Sequence, residues 1–233
     1  MKSAIHQPEF LPWMGYFYKM ALADVYVILD HVQFKKRYFE NRNKILTSTG
    51  KARWLSVPVL SKGKYLQAIN EVEIDDSRSW RKKFLETIRH SYHQTSFFSS
   101  LFAKIEAILQ GFDNPRLIDL NMAFIHMIRN ELEITTPLVY SSEILNPPLE
   151  TAPKASDLIL ELCLKVGASQ YICGPFGCRY LTLDDFDRNG INIEWLTYDP
   201  PQYKQHVPGF MSHLSTLDAL FNHGPAVRKL MVG

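Results

Sequence analysis

Three residues near the start of the chain, His6-Gln7-Pro8, combine a proton-transfer group, an amide and a turn former. His6 follows the short apolar run Ser3–Ile5, which reads as a buried strand, so its imidazole stands at a strand's carboxyl end. In an open α/β sheet, ligands bind at that edge. A lone histidine is more often structural, and His6 with Gln7 could simply satisfy backbone groups in a Pro-rich turn. Pro8, Pro12 and Gly15 lead into a helix start whose free N–H groups suit an anion, which favours a working site. His6 is therefore the candidate general base or phosphate ligand, with Gln7 as a substrate contact.

Asp30 closes a second apolar run, Val25–Leu29, and is the second candidate catalytic group. Parallel strands joined by one crossover bring both carboxyl ends to one edge, so His6 and Asp30 are expected to share a site. The polar stretch after Asp30 carries Gln33, Lys35, Lys36, Arg37, Asn41, Arg42 and Asn43. Amides suit sugar hydroxyls or ring nitrogens, and Lys36, Arg37 and Arg42 suit phosphate. Phe34, Tyr38 and Phe39 could fold the loop or offer a stacking surface. The plain alternative is a solvated loop. A third cluster, Gly174-Pro175-Phe176-Gly177-Cys178-Arg179-Tyr180, follows another expected strand, and Gly174 and Gly177 allow close backbone approach. In a fourth, Ser212 to Gly224, Ser215 or Thr216 suits a helix cap, and Asn222 and His223 could face the site. No Walker A, Gly-x-Gly-x-x-Gly or Gly-x-Ser-x-Gly motif occurs.

The elements that must hold these groups alternate in the manner of a parallel α/β protein. Strands are expected near residues 3–6, 25–30, 137–141, 170–173 and 191–196, with Ala52–Val59 and Ala68–Asp75 as further strands. Helices are expected over Trp13–Ala23, Trp80–Tyr92, Phe97–Gln110, Leu117–Leu132, Ala155–Val166, Ser215–Asn222 and Pro225–Leu230, with Gly167 as a cap. The whole of residues 1–233 reads as one α/β domain with a helical insertion or subdomain around 77–133. The 233 residues are 46% hydrophobic and 21% charged, with a net charge of +2, so composition implies no nucleic-acid partner. Cys163, Cys173 and Cys178 make no disulfide framework and have no zinc spacing, so no structural metal is expected. The N-terminus has no long apolar segment and no run of 18 apolar residues occurs, which points to a cytoplasmic protein without membrane insertion.

The run His6 to Phe17 with Lys19, Ala23-Asp24, Asp30, Gln33-Phe34 and Asn41-Arg42 resembles the WbqC-like family. Lys154, Gly174-Pro175, Gly177, Tyr180-Leu181, Leu214-Ser215 and Asp218 to Asn222 extend the resemblance over most of the chain. Phe176 and Cys178 depart from the family pattern, which has a small and a basic residue there. The resemblance adds Trp13, Lys19, Lys154 and Tyr180 to the substrate contacts. It implies a role in bacterial surface polysaccharide (O-antigen) biosynthesis, with a glycine-transferase role proposed for one member. The first βαβ unit is also similar to the start of nucleotidylyltransferase-like enzymes, some of which join an amine to a carboxylate through an acyl-adenylate. Their paired His-x-Gly-His signature is absent, so this likeness stays at the level of fold. Two functions follow as expectations. One is an amide-forming transferase acting on a nucleotide-linked amino sugar, drawing on ATP with magnesium held by Asp30 or by the phosphate. The other is a non-catalytic module that binds the nucleotide sugar or a partner in polysaccharide assembly.

Overall fold

Five short strands form one parallel sheet. They are β1 (Lys2–His6), β2 (Val25–Ile28), β5 (Leu138–Tyr140), β6 (Gln170–Cys173) and β7 (Asn192–Trp195), in spatial order β5-β2-β1-β6-β7. The computed structural model describes residues 1–145, 153 and 155–232. All four pairings are parallel, with His6 opposite Ile28 and Ala4 opposite Ile172. The chain starts in the middle of the sheet, builds outward to one edge, then returns and builds toward the other. β1 and β6 are thus the pair at which the winding reverses, the doubly wound arrangement.

Alternation along the strands separates two apolar layers. Ala4, Tyr26, Ile28 and Ile172 face the layer holding α1 (Met14–Ala21), α2 (Trp80–Tyr92), α3 (Phe98–Gly111), α4 (Leu117–Glu131), α8 (Thr216–His223) and α9 (Val227–Val232). Ile5, Val27, Tyr171 and Cys173 face α6 (Ala155–Lys165) and α7 (Leu183–Arg188). β2 is buried throughout and β1 and β6 are buried except at end residues, so their middles read as apolar runs, whereas the edge strands β5 and β7 stay partly open, with Asn192 and Trp195 exposed. Gly167 takes φ +71° just past α6, a conformation that side chains resist.

Residues 29–137 separate β2 from β5, although these strands are neighbours. The helices α2 to α4 fall in this span, as does an antiparallel hairpin, β3 (Arg42–Leu46) and β4 (Ala52–Ser56). The polar stretch expected as a loop therefore contains a strand. Ala68–Asp75, expected as a strand, is instead a 3₁₀ turn at Ile69–Glu71 flanked by single bridges, Gln33 to Ala68 and Val59 to Ile74. Each bridge has a different partner, so no ladder can grow. The short helices α5 (Ser141–Ile144) and α7 have too few turns to show a helical period in the sequence. Among the described residues no helix is long and apolar enough to cross a membrane.

Candidate active site

The segment after β1 cannot continue as a strand because Pro8 and Pro12 lack the donor N–H, and buried amides from elsewhere fix its path. Asn43 Nδ2 on β3 donates to Phe10 O (3.3 Å) and Leu11 O (3.0 Å). Asn121 Nδ2 on α4 donates to Pro8 O (2.9 Å) and Glu40 O (2.8 Å). Thr216 donates to Pro12 O from both its backbone N and its hydroxyl. Leu11 is held at φ +47° and His213 at φ +57°, strained values for residues with a Cβ.

This clamped segment and the turn after β6 enclose a cavity of about 480 Å³ at the carboxyl ends of β1 and β6, the reversal point of the sheet. Among the expected residues His6, Gln7, Trp13, Lys19, Asn43, Gly174, Gly177 and Tyr180 line it. Glu9, Tyr16, Tyr38, Phe39, Tyr171 and His213 line it as well. The indole of Trp13 stacks on His213 at 5.2 Å and lies so close over Gly15 that a Cβ there would meet the ring at 2.4 Å. Gly177 serves packing: its Cβ would meet Cys173 Sγ at 2.0 Å. Gly174 has open space where its side chain would be.

His6 Nδ1 lies 3.1 Å from Gln7 O. A carbonyl oxygen only accepts, so Nδ1 carries the proton and Nε2 keeps its lone pair. A third of the side chain remains open, while the ring meets Tyr16 edge-on at 5.0 Å. Enclosure, with the Lys19 ammonium nearby, holds the imidazole well below its ordinary pKa, so it is neutral at pH 7.

Lys19 is buried and donates to Ile5 O at 2.8 Å; burial pushes its pKa down to about 8. Glu9 is buried too, with Oε1 4.0 Å from His6 Nδ1 and Oε2 without a hydrogen-bond partner. Burial, then the Glu40 carboxyl, raises Glu9 to about 8 against the pull of Lys19. Glu40 is fully buried, neither of its oxygens has a partner, and burial raises it to about 7. Unpaired polar atoms at such depth are rare in folded proteins; Glu9 lines the cavity, and Glu40 is buried outside its lining.

The remaining expected contacts lie elsewhere. Asp30 does not line the cavity. Its Oδ1 accepts from Ser141 Oγ (2.8 Å) and Ser142 N (2.9 Å), and its Oδ2 accepts from Ser142 Oγ (2.6 Å) and Asn70 Nδ2 (3.4 Å). It thereby caps α5 and fastens β2 to β5. Gln33 Nε2 donates to Tyr65 O, beside an open hollow of about 800 Å³ lined by Tyr65, Gln67 and Arg116. Asn41 Nδ2 donates to Val57 O and Asn222 Nδ2 to Asp218 O. Arg42 lies over Trp54, 4.2 Å from the ring centre, and Lys36 is exposed. Lys154 lies outside the described residues. Among those described, no three His, Cys, Asp or Glu side chains gather as a metal-ligand set.

Sequence reasoning missed Glu9, Glu40 and Asn121. Glu9 alone gave a signal, a carboxylate set between Pro8 and the core residue Phe10.

Fold and cavity together define a doubly wound α/β protein with a cavity of mixed lining at its reversal point. A model described as the WbqC-like protein family matches residues 7–229, and the chain belongs to that family. It is also similar to the uncharacterized protein Rv1507c of Mycobacterium tuberculosis, with 34% identity over 224 residues, 96% of this chain and 94% of that one. No solved structure matches.

Proposed function

We propose that the protein is an amide-forming transferase of surface polysaccharide biosynthesis, joining glycine or another acyl group to the amine of a nucleotide-linked amino sugar. The observation that supports this most directly is the neutral His6 imidazole at the cavity, its Nε2 unprotonated. In the step, the amine nitrogen attacks the carbonyl carbon of an activated acyl donor such as an acyl-adenylate. The N–C bond forms, and the bond from that carbon to the leaving group breaks, the leaving group taking the electron pair. His6 Nε2 takes the proton from the amine. Lys19 provides positive charge for the oxygen that becomes anionic. Family membership supports the pathway, and the order β5-β2-β1-β6-β7 supports a nucleotidylyltransferase-like fold. Such chemistry belongs in the cytoplasm, where nucleotide-linked sugars and ATP are found.

The test is incubation with glycine, ATP, magnesium and a UDP-linked amino sugar, followed by mass spectrometry for the amide. The expected result is product with the native protein and none with His6→Ala. Isothermal titration showing no heat with either ATP or the UDP-amino sugar would overturn the reading. Saturable binding without product under any donor favours the binding-module alternative.

A further inference from the structure

The outer face of the β3–β4 hairpin carries charge that the rest of the molecule does not match. Between positions 31 and 54 there are seven Lys and Arg residues and one acidic residue, Glu40, which is buried. The remainder of the chain is therefore net negative, since the whole carries +2. Among the described residues none of these seven cations takes part in an ion pair.

The strand register brings two of them, Arg42 and Lys44, against one aromatic ring. Lys44 is opposite Trp54 and Arg42 opposite Ser56, while the alternate residues Asn43 and Ile45 are buried. The Arg42 guanidinium lies 4.2 Å and Lys44 Nζ 4.9 Å from the centre of the Trp54 ring. Trp54 stays 39% exposed, and Arg42 Nε is a buried donor with no partner. The surface is continuous with the cavity: Phe39 meets Trp54 at 6.0 Å and Tyr38 at 5.3 Å, and both Phe39 and Tyr38 line the cavity wall. Tyr38 is itself half exposed, with Lys35 Nζ 5.9 Å from its ring centre.

A part-exposed aromatic ring with two cations lying over it and no ion-pair partner for either fits a ligand with a flat ring and adjacent negative charge. The cavity offers the opposite character, enclosed and with Lys19 as the one Lys or Arg in its described lining. Resting on the transferase reading above, we propose that the substrate is held in two parts, its sugar in the cavity and its nucleoside diphosphate on this hairpin. Trp54 and Tyr38 provide the stacking surface, and Arg42 and Lys44 meet the phosphates. Because Tyr38 and Phe39 belong to both places, one small molecule can span them. A single-stranded nucleic acid would use the same chemistry without the cavity.

The experiment is calorimetric titration of the full chain with UDP, ADP and inorganic pyrophosphate, with a short oligonucleotide as competitor. UDP or ADP should bind the native protein more tightly than pyrophosphate. Trp54→Ala should weaken nucleotide binding about tenfold, on the order of one base–aromatic stack, and Trp54→Phe should restore most of it. Arg42→Gln should weaken nucleotide and pyrophosphate alike. Trp54 is exposed, so the variants should keep the native melting temperature. Three results each overturn the proposal: no nucleotide binding by the native protein, equal affinity in Trp54→Ala and Arg42→Gln, or an oligonucleotide that outcompetes UDP. Binding is read without turnover, so failure to form an amide tests the transferase reading and leaves this measurement intact.

Discussion

Glu9 and Asp30 are both buried carboxylates lying just beyond the ends of neighbouring parallel strands, yet their surroundings are opposite. Asp30 accepts four hydrogen bonds from three residues and ties β2 to the start of α5. Glu9 leaves one oxygen unpaired at a cavity, faces Glu40 behind it, and is pushed toward its neutral form. A carboxylate with its hydrogen bonds filled stabilises the fold, whereas a buried one left empty weakens it.

The largest effect expected from this contrast is catalytic. His6→Ala should lower the transfer rate roughly 10²- to 10⁴-fold while the melting temperature stays nearly unchanged. In the native protein the rate should hold constant as pH falls through the ordinary histidine range near 6.5. The depressed pKa keeps the imidazole unprotonated there, so a rate that falls by half near pH 6.5 would contradict this assignment. Asp30→Ala should cost about 3 kcal/mol of folding stability by stranding Ser141 and Ser142, read by urea denaturation. Glu9→Gln in the same assay should instead raise stability near neutral pH, by at most roughly 3 kcal/mol, because the amide removes the cost of the raised carboxyl pKa. The reverse ranking would break the comparison.

Glu40 gives the comparison a pH signature. Its folded pKa lies above its unfolded value, so between about 4.5 and about 7 the folded state binds the extra proton. Stability should fall as pH rises through that window. Glu40→Gln should flatten the fall, gaining at most roughly 3 kcal/mol at pH 8 relative to its effect at pH 4, measured by thermal melts across pH. A parallel shift at every pH would show that the carboxyl does not titrate there. The smallest effect is that of Gly15→Ala. Its methyl displaces the Trp13 indole from His213, so sugar-nucleotide affinity should drop while stability moves by about 1 kcal/mol, since alanine also favours the helix.

The central strands were legible because strands buried on both faces must be apolar, as Val25–Ile28 and Tyr171-Ile172-Cys173 are. β3 was hidden because Arg42, Asn43 and Lys44 are polar on both faces; Asn43 turns inward to hold the Pro-rich loop, a task for an amide rather than an aliphatic chain. His6 and Gln7 were legible from their place at a strand end. The destination of Asp30 was not, since it depends on β5 lying beside β2 and bringing Ser141 across 111 positions. Glu40 gave no sign because burial of an unpaired carboxyl is decided by the helices packed around it.

The span of 29–137 between adjacent strands also governs the order in which the molecule can form. The hairpin is local in sequence and can appear early, whereas β5 must wait for the whole helical block, and the β1–β6 pair closes later still. On the ribosome, Asp30 emerges long before Ser141 and His6 long before Tyr171, so each is solvated during much of synthesis. The cationic hairpin could therefore be available to nucleotides before the cavity exists.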